Sequence, residues 1–173
     1  MNKKSFMVAL LCTALFSVQG FAASFADHIK DVSPPRPVPA MVFEDGEGQQ
    51  HALSDYRGSY ILLNVWATWC GPCVQEMPSL EALAQTVDAH KLKIIPLSDD
   101  RGDNTVTAFY KTHALSHLPV ALDHAGVAPV VLHLRGLPTT LLIDPQGNEI
   151  ARLEGDADWS SPDVMSYLKA RIH

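Results

Sequence analysis

One junction constrains the fold of this 173-residue chain more than any other. Tyr60 to Trp66 (Tyr-Ile-Leu-Leu-Asn-Val-Trp) is a near-continuous apolar run of strand length, as expected of a central strand covered on both faces. Trp69-Cys70-Gly71-Pro72-Cys73 follows almost at once. A helix is then expected from about Gly71 to Ala89, with Met77, Leu80, Leu83, Ala84 and Val87 at helical spacing. Pro72 is tolerated there because first-turn N–H groups have no helical partner. The spacing puts the two cysteines about one turn apart on one helix face, so their sulfurs can meet. The same unpaired N–H groups point at Cys70 and favour its thiolate. Cys73 lies a turn deeper and should be less exposed. Cys70 is therefore the expected attacking thiolate, and Cys73 the residue that resolves a mixed disulfide.

Three other uses of such a pair compete. A structural staple closing so short a loop contributes only about 2 kcal/mol in the chain-entropy model. Zinc wants four ligands, and no second cysteine pair exists. His113 and His117 could supply two nitrogens, but they lie 40 residues beyond Cys73. Two unrelated buried cysteines would not explain the strand-to-helix placement. Redox chemistry is the reading the spacing favours, with no metal site and no cofactor expected.

The N-terminus bears on where that chemistry runs. Met1-Asn2-Lys3-Lys4 is a short positive head before an apolar stretch from Phe6 to Val18, and Gly20-Phe21-Ala22 offers small residues where a signal peptidase reads. Residues 1–22 are expected to be a secretory signal peptide, with an uncleaved membrane anchor as the alternative. Leu11 before Cys12 is too bulky for a lipidation site. Loss of the signal removes Lys3, Lys4 and Cys12, taking the net charge from −6 to −8 and leaving Cys70 and Cys73 as the only thiols. No basic run remains, so nucleic acid is not an expected partner.

The rest reads as a leader and one domain. Residues 23–40, with Pro34, Pro35, Pro37 and Pro39, read as an extended segment without packing. The domain is expected over 41–173. Asp45-Gly46-Glu47-Gly48 is a turn between short strands at Met41–Phe43 and Gln49–Leu53. Lys93 to Leu97 is a second buried strand, Asn104 can cap a helix to about Thr112, and Val127 to Leu134 reads as helix. Thr139–Ile143 and Glu149–Glu154 flank a hairpin turn. Ser161 and Pro162 open a last helix to about Ile172. This order makes an α/β fold layered around one mixed sheet.

From Met41 onward the chain resembles the thioredoxin superfamily, and within it the TlpA/ResA-like thiol-disulfide oxidoreductases. The resemblance rests on Asn64 to Cys73, on Glu76-Met77-Pro78, on Gly136-Leu137-Pro138-Thr139-Thr140, and on Leu142 to Gly147. It implies a thioredoxin-like fold: a central mixed β-sheet flanked by helices, with an N-terminal hairpin and a helix-containing insertion over Ser98 to Leu134. It also implies a cis bond before Pro138, which would leave the Leu137 backbone free to pair with an extended substrate segment. Trp69, partly exposed beside Cys70, joins Leu137 and Pro138 as expected substrate contacts. Pro78 is expected to bend its helix.

Plain thioredoxins keep a buried Asp where this chain has Asn64. Glu76, one turn beyond Cys73, is then the nearby acid, and burial would raise its pKa and let it exchange protons with Cys73. The catalytic set expected is Cys70, Cys73 and Glu76. Family members act in cytochrome c maturation or in preparing copper-binding thiols for cytochrome oxidase. The resemblance therefore implies a periplasmic, monomeric reductant of specific exported proteins, fed by a membrane electron donor of the DsbD/CcdA type. A broad-specificity disulfide oxidant and a copper-binding chaperone using the cysteine pair are the alternatives.

Overall fold

A computed structural model describes residues 24–172. The expected signal peptide lies outside the described residues. In chain order the elements are α1 (Phe25–His28), β1 (Lys30–Pro37), β2 (Val42–Asp45), β3 (Gln50–Ala52), β4 (Tyr60–Trp66), α2 (Gly71–Thr86), β5 (Leu92–Ser98) and α3 (Asp103–Thr112). There follow β6 (Ala121–Leu122), α4 (Ala128–Val131), β7 (Thr139–Ile143), β8 (Asn148–Glu154) and α5 (Pro162–Lys169). The strands form one mixed sheet in the order β1-β8-β7-β4-β5-β6-β2-β3. β4 runs parallel to β5 and antiparallel to β7. This is the thioredoxin-like α/β arrangement the sequence implies. The β2–β3 hairpin stands at one sheet edge, and the insertion over Ser98 to Leu134 supplies α3, β6 and α4.

β4 shows why its sequence had to be apolar on both faces. Leu62 and Trp66 point to the side of α2, where they pack with Cys73, Met77, Leu80 and Leu83. Ile61, Leu63 and Val65 point the other way, onto Ala128 and Leu132 at α4. Every one of these residues is buried, so alternation along the strand feeds two cores. Asn64 is the polar exception, fully buried on the α2 side. Among the described residues no helix is long and apolar enough to cross a membrane.

The structure corrects the proline-rich leader. Residues 30–37 are extended and largely exposed, but they are paired, as an edge strand running antiparallel to β8. The ladder is interrupted between Asp31 and Arg36, where Pro34 and Pro35 sit, and the Ser33–Pro34 bond is cis. Prolines lack the N–H a central strand needs, but an edge strand with a bulge accommodates them. Before it, α1 buries Phe25 edge-on against Trp159 and Tyr167. The folded unit thus begins well before Met41.

Other boundaries shift by local chemistry. Gly102, not Asn104, occupies the cap position of α3. The stretch expected as helix from Val127 to Leu134 has only one helical turn, since His133 takes a positive φ of 52°. α2 ends at Thr86 and stays helical through Pro78.

Candidate active site

Cys70 stands at the seam between β4 and α2, as the N-cap residue of α2 with extended backbone. It forms a disulfide with Cys73, and Cys73 donates its backbone N–H to Cys70 Sγ at 3.3 Å. Cys70 retains 6% exposure, whereas Cys73 has none. The N-terminal end of α2 therefore presents both a hydrogen bond and its partial positive charge to the outer sulfur. The pair is asymmetric: one sulfur reaches solvent and the other is sealed in the core.

The loop that carries Cys70 is tied down from behind. Asp100 is buried and accepts from Thr68 N at 2.8 Å, from Thr68 Oγ1 at 2.7 Å and from Ser98 Oγ at 2.8 Å. Asp99 N donates to Trp66 O at 2.8 Å. The residues just after β5 thus fix Trp66 and Thr68 on the approach to Trp69. Trp69 itself is 68% exposed, a large apolar side chain left in solvent next to the reactive sulfur.

Glu76 is buried on α2, one turn beyond Cys73. Its Oε1 accepts from Asn64 Nδ2 at 2.8 Å. Its Oε2 accepts from Trp159 Nε1 at 2.8 Å and from Ala157 N at 3.1 Å. Burial raises its pKa to about 7, against the opposing pull of those three donors, and nearby Asp156 adds to the rise. A carboxyl group poised there can hold or release a proton at neutral pH. Asn64 Nδ2 also donates to Thr140 Oγ1 at 2.9 Å, while Asn64 Oδ1 is buried without a partner.

Leu137–Pro138 is a cis bond, directly before β7. Pro138 O accepts from Gly155 N at 2.9 Å and Thr139 Oγ1 donates to Gly136 O at 2.7 Å, so both sides of the loop are anchored. Because Thr139 pairs with Val65, this loop sits at the end of the sheet where β4 delivers Cys70. The structure thus brings Cys70, Cys73, Trp69, Leu137 and Pro138 to one end of the sheet, with Glu76 buried behind them.

Asp100 and Trp159 were not foreseen. A serine and two aspartates closing a buried strand, Ser98-Asp99-Asp100, were the available signal for the first. Nothing local marked Trp159, whose partner lies 83 residues away. His117, considered as a metal ligand, instead bonds Glu81 through Nδ1 at 2.7 Å, and His113 stacks on Phe109.

A model described as the AhpC/TSA family matches residues 34–151. The chain belongs to the AhpC/TSA family. Thiol-disulfide oxidoreductase ResA of Bacillus thuringiensis subsp. konkukian (strain 97-27) is 35% identical over 131 residues, covering 76% of this chain and 74% of that protein. ResA of Geobacillus thermodenitrificans (strain NG80-2) is 30% identical and covers 95% of this chain and 94% of its own. A crystal structure described as thiol:disulfide interchange protein DsbE from Chlorobium tepidum matches with a TM-score of 0.70 at 25% identity, over 79% of this chain and 95% of that one. StoA from Bacillus subtilis shares the fold, with a TM-score of 0.64 at 20% identity, over 76% of this chain and 99% of that one. This AhpC/TSA-family chain is a thiol-disulfide oxidoreductase of the ResA-like kind.

Proposed function

We propose that this thiol-disulfide oxidoreductase works in the periplasm, reducing disulfides of specific exported proteins. The substrates fitting this reading are disulfides of apocytochrome c or of the copper-binding cysteines of cytochrome oxidase, which leave as the reduced thiols. A membrane donor of the DsbD/CcdA type returns the oxidised form to the dithiol. The observation that carries the reading is the asymmetry of the pair, with Cys70 at the helix start and Cys73 fully enclosed.

In the reaction, the Cys70 thiolate attacks one sulfur of the substrate disulfide. A Cys70–substrate bond forms, the substrate S–S bond breaks, and the released substrate thiolate takes a proton. Glu76 as carboxylate accepts the Cys73 proton, and the Cys73 thiolate attacks Cys70 Sγ. The Cys70–Cys73 bond forms and the second substrate sulfur leaves as a thiolate, which is then protonated. Two electrons have passed to the substrate, leaving the disulfide form described above. Exposed Trp69 and the backbone of Leu137 are the surfaces that would hold the substrate strand.

Cys73→Ala should arrest the reaction at the mixed disulfide. Expressed in the native cell, it is expected to retain one or a few exported proteins through Cys70, identified by mass spectrometry after release with thiol. Capture of a broad spread of exported proteins would instead favour a general oxidant.

A further inference from the structure

An open cleft of about 950 Å³ runs along the β1 edge of the sheet, walled by Val32, Pro34 and Pro37 on one side and by Val131 and Leu132 on the other. Its charges are unusual for a chain with a net charge of −6. Lys30 stands directly opposite Arg152 in the β1–β8 ladder, so two cations leave the same face of the sheet side by side. Like charges in that relation are unfavourable, and they need a reason. Arg36 and Arg152 share one carboxylate, Glu149, which is itself buried. Arg135 reaches Glu154 at 3.6 Å and is otherwise 80% exposed. Asp31 is taken by Arg171 at 2.8 Å. Each carboxylate of the cleft is thus engaged by an arginine, and the surplus charge is positive.

The cleft also leads to the reactive end of the molecule. Arg135 lies two residues before Leu137, and its partner Glu154 pairs with Thr139 across the β7–β8 ladder. The next residue, Gly155, donates to Pro138 O. A chain laid in the trough would therefore approach the loop beside Cys70.

We propose that this cleft is a docking site for an extended, acidic segment of the protein substrate, held while the neighbouring disulfide is presented to Cys70. The inference rests on the reductase reading above. Carboxylates on the incoming chain would meet Lys30, Arg36 and Arg135, and its aliphatic parts the proline and valine walls. Such charge pairing at an exposed rim acts mainly on the association rate and weakens with salt.

The test uses the reduced full chain and two synthetic peptides with the same internal disulfide, one flanked by four glutamates and one by four serines. Bis(2-hydroxyethyl) disulfide is the uncharged control. At low ionic strength kcat/KM for the acidic peptide is expected to exceed that of the serine peptide by about fivefold or more, and the advantage should vanish at about 0.5 M salt. Lys30→Glu with Arg135→Glu should erase or invert the preference, leaving the control rate unchanged. Equal rates for the two peptides on the unaltered protein would overturn the docking site, whatever the variant does. So would a double variant that slows both peptides and the control alike. Failure to reduce any of the three disulfides would count against the reductase reading instead.

Discussion

The indole N–H of Trp159 donates to Glu76 Oε2 at 2.8 Å, joining the loop before α5 to the carboxyl group one turn beyond Cys73. Trp159 has no exposed surface and packs edge-on against Phe25 of α1. Asn64 on β4 and residues 156–159 before α5, two separated parts of the chain, therefore set how tightly one proton is held on α2. Trp159 and Ala157 N can only donate, so they favour the ionised form of Glu76 and oppose the burial that raises its pKa.

Replacing Trp159 by Phe keeps the edge contact with Phe25 but deletes the donor. The Glu76 pKa should move above about 7, because a hydrogen bond that favours the carboxylate is lost. Stability should fall by about 1–3 kcal/mol at alkaline pH, where an ionised Oε2 is left short of a partner. Carboxyl-carbon NMR titration reads the shift directly, and an unmoved or lowered midpoint would contradict the assignment.

Glu76 should also shape stability against pH. The folded protein keeps a proton up to about pH 7 that the unfolded chain loses near 4.5. Between those values the native state binds more protons, so stability declines as pH rises, with the full penalty present above the folded pKa. The span corresponds to a loss on the order of 3 kcal/mol. Glu76→Gln should flatten this decline, since glutamine carries no titrating proton, and Asn64 can turn its unpartnered Oδ1 toward the new amide. The same variant should slow closure of the Cys70–Cys73 bond more than the first attack. Urea midpoints from pH 5 to 8, with stopped-flow traces of both steps, check the two halves.

What the sequence made legible follows from how local each signal is. β4, the cysteine pair and the first turn of α2 are adjacent in the chain, so strand period, cap and spacing could be read together. Glu76 was legible by one more helical turn, and the missing acid at Asn64 pointed to it. Two of its three partners were not, because Trp159 and Ala157 arrive from more than 80 positions away. The segment at 30–37 was misjudged for a different reason. Proline density signals an unpaired chain, yet an edge strand needs few N–H donors, and β8 offered the pairing. α4 was overread because Val130, Val131 and Leu134 are apolar, while the helix stops at Val131.

That packed N-terminal segment gives its own test. Phe25 fills a site between Trp159 and Tyr167, with ring centroids 5.6 Å and 5.3 Å away. Phe25→Ala should cost about 3–5 kcal/mol by cavity formation and lost ring contacts. It should also admit water toward Trp159, seen as a red shift of indole emission. A change below about 0.5 kcal/mol, the range of ordinary surface substitutions, would mean α1 is only laid on the surface.

Exposure separates the two thiols. In the reduced protein, limiting iodoacetamide at neutral pH should label Cys70 well before Cys73, since only Cys70 reaches solvent and takes the helix N–H. Peptide mapping after short exposure decides it. Faster labelling of Cys73 would reverse the roles assigned to the pair.

Asp100 offers the sharpest separation of hydrogen bonding from charge. Its Oδ2 receives Thr68 N and Ser98 Oγ, and its Oδ1 receives Thr68 Oγ1. An asparagine can reproduce this pattern: its oxygen takes the Oδ2 place, and its amide donates to the Thr68 hydroxyl, which rotates to accept. Alanine cannot, and it leaves the Thr68 N–H and the Ser98 hydroxyl buried without acceptors. Asp100→Asn should therefore stay within about 1 kcal/mol of the parent, while Asp100→Ala loses about 2–4 kcal/mol. Because Thr68 fixes the approach to Trp69 and Cys70, the alanine variant should also broaden the NMR signals of residues 67–70. Its Cys70 alkylation rate should change, whereas the asparagine variant keeps both near the parent values. If Asp100→Asn is as damaging as Asp100→Ala, the carboxylate acts through its charge, and its hydrogen-bond geometry is not the deciding property.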